Sequence, residues 1–96
     1  MTDFTGGDDP ILRELLPGYL ARRRAELATL DDALEREDFK ALRKIGHNLH
    51  GSGGAYGLAK ISEFGRELEV AARASDGEAI RATIQQMRTF LDEISI

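Results

Sequence analysis

The chain has 96 residues and carries 13 Lys and Arg against 17 Asp and Glu, a formal charge of −4. That makes one small acidic domain without the basic field that broad nucleic-acid binding needs. With no Cys it holds no disulfide framework and no thiolate metal site. No apolar run approaches the roughly 18 residues of a membrane span.

Residues 1–9 read as a loose polar tail, and 10–96 as one helical domain. MTDFTGGDDP lacks the basic-then-apolar order of a signal peptide, so the expectation is a cytoplasmic protein. The initiating Met1 and the short tail favour an independent protein over an excised module. Asp9 before Pro10 is an N-cap followed by proline at the first helical position. The stretch from Ile11 to Leu16 then predicts a short leader helix, which Pro17 ends while opening the next.

The second helix runs to about Arg36 on a stripe of Leu16, Leu20, Leu27, Leu30 and Leu34. Within it, Arg22-Arg23-Arg24 reads as a solvated basic run with snorkelling stems. Glu37-Asp38 is a tight break, and Asp38 caps a third helix on Leu42, Ile45, Leu49 and Tyr56. Gly57 occupies the place of a left-handed C-cap. A fourth helix carries Leu58, Ile61, Phe64, Leu68 and Ala72. Ser75 and Glu78 have capping-box spacing ahead of a last helix with Ile80, Ile84, Met87, Leu91 and Ile94. Phe39, Phe64 and Phe90 read as core. The short connections predict an all-α, up-down-up-down antiparallel four-helix bundle with a short N-terminal leader helix, and its stripes are wide enough for a monomer.

On a helical wheel the apolar residues of the third helix lie opposite His47, which therefore points to solvent. Within about 60° of His47 on that wheel lie Lys40, Arg43, Lys44, His50, Gly51 and Gly54, with no carboxylate among them. Each glycine inside a helix costs about 0.8–1.0 kcal/mol relative to alanine. Gly46, Gly51, Gly53 and Gly54 together cost this helix roughly 3–4 kcal/mol on that scale. Gly53 falls toward the core side, where close helix packing explains it. Gly51 and Gly54 flank His47, where the purpose that fits is access for another protein's surface.

A neutral imidazole is a nucleophile toward an activated phosphoryl group. Arg43 and Lys44 oppose a second positive charge beside them, which keeps a ring nitrogen's lone pair available, and they offset the charge of a phosphoryl group once it arrives. Transfer through a loose transition state asks mainly for positioning and electrostatics. His47 and His50 are three apart, as two metal ligands can be, but no further His or carboxylate motif completes a site. Gly51 to Gly57 fails both phosphate-loop patterns, because Tyr56 stands where the last glycine of one belongs and no Gly-Lys-Ser/Thr follows. Intrinsic kinase activity is therefore not expected.

The run Gly46-His47-Asn48-Leu49-His50-Gly51-Ser52-Gly53-Gly54-Ala55-Tyr56-Gly57-Leu58 resembles the signature of histidine-containing phosphotransfer (HPt) domains. That signature is a His, an apolar residue two on, usually Lys three on, Gly four on, then small residues before a Gly and an apolar residue. The resemblance covers roughly Asp9 to Ile96. It implies phosphorylation of His47, with phosphoryl groups moving between receiver-domain aspartates, or from a sensor histidine kinase to a response regulator. It implies no cofactor on this chain, the Mg²⁺ belonging to the acidic pocket of the receiver. Lys44, Arg43 and His50 become candidates for charge support, and Gly51 and Gly54 for partner access. His50 departs from the usual Lys, so its contribution is expected to weaken as pH rises through neutrality. The rival reading is a non-catalytic helical adaptor that binds a signalling partner through the same face and is never phosphorylated.

Overall fold

The computed structural model describes residues 9–94, so residues 1–8 of the expected tail lie outside the described residues. Four helices follow one another: α1 (Pro10–Glu35), α2 (Phe39–Ala55), α3 (Ala59–Arg73) and α4 (Gly77–Glu93). There is no strand among the described residues. Each helix packs on two others, α1 on α2 and α4, and α3 on α2 and α4. Gly46 of α2 faces Gly65 and Glu69 of α3, whereas Gly53 faces Ile61 and Ser62. The falling register makes that pair antiparallel, as do Arg24 beside Leu91 and Asp31 beside Arg88 for α1 and α4. The bundle is up-down-up-down.

No separate leader helix forms. Pro17 lies inside α1. Leu16, Tyr19 and Leu20, on either side of it, are all buried, while Pro17 is exposed. One continuous axis buries all three, and the ring and the missing ladder bond fall on the water side, where an interior proline is cheapest. At 1.5 Å per residue the 26 residues of α1 span about 39 Å, matching the 39 Å long axis of the molecule. The other helices are shorter, and α1 overhangs them at its start, where Ile11 and Leu15 are exposed.

Three turns of the same design join the helices. Leu58 N–H reaches Gly53 C=O and Gly57 N–H reaches Gly54 C=O, a Schellman ending with Gly57 at φ 72°. Glu37 and Ser75 hold the same left-handed position at the ends of α1 and α3, with φ 54° and 53°. The residue after each then caps the next helix. Asp38 Oδ1 accepts from Ala41 N–H, and Asp76 Oδ1 from Ala79 N–H. The expected capping box at Ser75 is thus replaced, because Ser75 is spent closing α3 and Asp76 takes the N-cap position at φ −93° and ψ 88°.

The core is aliphatic, with Leu20, Leu30, Leu42, Leu49, Leu58, Ile61, Leu68, Ile80, Met87 and Leu91 sealed from water. Phe64 is buried, whereas Phe39 and Phe90, like Leu34, Ile45 and Tyr56, are half-buried against this cluster. In the arginine run Arg22 and Arg24 are exposed and Arg23 is half-buried. Arg23 lies 4.7 Å over the Tyr19 ring and contacts Glu26 at 3.1 Å, and Arg24 Nη2 donates to Leu91 C=O at 3.0 Å. The run is thus mainly solvated, with Arg24 alone reaching another helix, at Leu91 C=O.

Candidate functional site

The site is built on the tightest seam of the bundle. An alanine Cβ at Gly46 would lie 2.7 Å from both Glu69 N and Gly65 O, and one at Gly53 2.5 Å from Ser62 N. At Gly65 it would strike the backbone of His50 and Gly46. Three glycines thus let the backbones of α2 and α3 touch, which the wheel anticipated for Gly53 and missed for Gly46 and Gly65. The α1 side of α2 is held differently, by side chains. Tyr19 stacks on Tyr56 with ring centroids 4.2 Å apart, and its hydroxyl shares a 2.8 Å hydrogen bond with Ser52 Oγ. Between these two seams α2 can neither slide nor roll easily, and its outer face is fixed.

His47 stands on that outer face with 72% of its side chain exposed. Its Nδ1 is 3.4 Å from Glu69 Oε2, longer than a good hydrogen bond. Glu69, only 17% exposed, also receives Arg73 Nη2 at 3.1 Å on the same oxygen. The carboxylate thus lies between the His47 ring and the Arg73 guanidinium. In the tautomer that carries its proton on Nδ1, the lone pair is on Nε2. The wheel positions of α2 hold no carboxylate, and the neighbouring helix supplies one beside His47.

Glu69 and Arg73 escape a single-helix wheel because they belong to α3. The signal that finds them is the glycine pattern: once Gly46 and Gly53 are set against Gly65, the antiparallel register puts Glu69 beside His47.

Lys40, Arg43 and Lys44 are exposed on α2, the flank on which the wheel places them with His47. His50 is exposed too, but its ring is tied to α3: Nδ1 lies 3.1 Å from both Ser62 O and Ser62 Oγ. Gly51 and Gly54 are exposed, and a Cβ at either meets nothing within 4 Å. One turn beyond each histidine, α2 is bare backbone. No group of three or more His, Cys, Asp or Glu suited to a metal ion occurs among the described residues, and no described helix is long and apolar enough to cross a membrane.

The arrangement is an exposed imidazole beside a carboxylate of the neighbouring helix, with a bare approach and cations on both helices. The family model of the Hpt domain matches residues 14–95. Among curated proteins and among solved structures nothing matches.

Proposed function

The chain belongs to the Hpt domain family, whose members are phosphocarriers of two-component signalling rather than kinases, and on that premise we propose that His47 is the residue that carries the phosphoryl group. Nε2 attacks the phosphorus of a receiver's aspartyl phosphate. The N–P bond forms as the P–O bond breaks, and the aspartate leaves as carboxylate on the partner, whose acidic pocket brings the Mg²⁺. The reverse step on a second receiver completes a relay, and a sensor histidine kinase is the alternative donor. Glu69 holds the Nδ1 proton and so keeps Nε2 nucleophilic. Lys44, Arg43 and His50 offset the charge of the phosphoryl group, and Gly51 and Gly54 leave room for the receiver's loops. The protein works as a cytoplasmic monomer in transient contact with its partners.

The observation that carries this reading is the Nδ1 contact to a half-sequestered carboxylate on a histidine otherwise open to solvent. It is tested by incubating the chain with a phosphorylated receiver domain, wild type beside His47→Gln. Acid-labile, alkali-stable label on wild type alone is the expected result. No label on wild type from several receivers would favour the adaptor reading instead.

A further inference from the structure

Beyond the overhang of α1, Val70 is the only large apolar side chain exposed among the described residues, at 58%. A β-branched residue is a poorer helix former than alanine or leucine, so α3 gains nothing locally from it. Val70 stands at the edge of a groove of about 410 Å³ between α3 and α4, lined also by Ala71, Ala74, Ala79 and Thr83. The Thr83 hydroxyl already donates to Ala79 C=O at 3.0 Å, so it needs no further partner from an occupant. Short side chains between two packed helices leave a channel that takes a third helix by its apolar face. On α3, Glu67, Ala71 and Ala74 lie roughly 120–180° around the axis from Ser62 and Glu69, which meet His50 and His47 of α2. The groove therefore opens away from His47.

The rim of the groove selects its occupant by charge. It holds the carboxylates of Glu67 and Asp76 and the guanidinium of Arg66. Asp76 is fixed in place by its cap bond to Ala79 N–H. Arg66 and Glu67 take part in none of the ion pairs among the described residues. We propose that this groove docks an amphipathic helix of a partner protein, with an apolar stripe flanked by Lys or Arg. An apolar side chain of that helix seats among Ala71, Ala74 and Thr83 against Val70, and its cations reach Glu67 and Asp76. A second copy of the chain fits poorly. It would bring the same excess of carboxylates to the rim, and both chains carry a net charge of −4, which opposes their approach. A partner held in this groove stays attached while another protein closes over His47.

The test titrates the full chain with a synthetic helix of about 14 residues, Leu along one face and Lys along the other, beside a counterpart with Glu in place of Lys. Amide nitrogen-15 spectra locate the contact. The expected result is saturable shifts centred on Val70, Ala71, Ala74, Ala79 and Thr83, with His47, Gly51 and Gly54 unmoved. The Glu counterpart should bind at least about tenfold more weakly. Val70→Ala should weaken the Lys peptide about fivefold, the size of one or two buried methyl groups, and Glu67→Gln about two- to fivefold. Both positions are exposed, and unchanged thermal melting shows that the variants remain folded. Phosphoramidate, a small donor that needs no partner, should label His47 equally with and without saturating peptide. No saturation, equal binding of the two peptides, unchanged affinity in Val70→Ala, or shifts centred on the acidic cleft of Asp31, Glu35 and Glu37 would overturn the proposal. None of these outcomes touches the phosphocarrier reading, which fails separately if the peptide-free chain takes no label.

Discussion

The glycines of the α2–α3 seam and those beside His47 share a helix and meet opposite surroundings. Around Gly46 and Gly53 there is no room for a methyl group, because α3 backbone already fills the space. Around Gly51 and Gly54 there is room on every side. The first pair is explained by packing within the chain. The second weakens the helix by about 0.8–1.0 kcal/mol per residue against alanine with no internal return. In a small domain, whose whole stability is about 5–15 kcal/mol, an unreturned cost of that size points to something outside the chain. A partner closing over His47 is such a reason.

The largest effect separating the two groups is on stability. Gly65→Ala drives a methyl group into the backbone of both Gly46 and His50, which no rotamer change relieves. It should lower stability by about 3 kcal/mol or more, read as a fall in denaturant midpoint. A loss below about 0.5 kcal/mol, the range of ordinary surface changes, would show that the seam has slack. In the double variant Gly51→Ala, Gly54→Ala the sign reverses. It should gain about 1–2 kcal/mol while accepting phosphate from a receiver more slowly and from phosphoramidate at the wild-type rate. Unchanged transfer from the receiver would remove the partner from the explanation.

The smallest effect concerns the α1–α2 seam, which is built of side chains. Burial pushes the Glu26 carboxyl above its ordinary 4.5, and Arg23 pulls it partly back. The 3.1 Å contact between them lacks hydrogen-bond alignment, since Arg23 Nε and Glu26 Oε1 are both buried without a hydrogen-bond partner. The folded chain then holds a proton at pH values where the unfolded chain has released it. This group therefore lowers stability as pH climbs from 4.5 through the raised value, and its cost is complete at neutral pH. Glu26→Gln should raise stability by a few tenths of a kcal/mol at neutral pH, with the gain vanishing in acid below 4.5. A loss larger than about 1 kcal/mol would show that attraction to Arg23 outweighs burial.

What was legible in the sequence is what one helix decides alone. The apolar stripes, the caps at Asp9 and Asp38, the left-handed Gly57 and the exposure of His47 all follow from spacing within a single element. What was not legible depends on a second element. Pro17 continues α1 because the residues around it pack on one side and it faces the other. Ser75 yields its cap to Asp76 because the end of α3 claims it first. Glu69 reaches His47, and Ser62 reaches His50, only through the register that the seam glycines impose. Arg23 and Arg24 find their contacts because Tyr19 offers a ring face and Leu91 a carbonyl. In the candidate site the exposed histidine could be found from its own helix, and the α3 groups beside it could not.

The most direct test of the claim that His47 carries the phosphoryl group is a phosphorus-31 spectrum taken after phosphoramidate treatment, wild type beside His47→Gln. The account predicts one phosphohistidine resonance, of the Nε2-substituted form, in wild type and none in a folded His47→Gln. The same resonance in both proteins, or its absence from wild type, would contradict it.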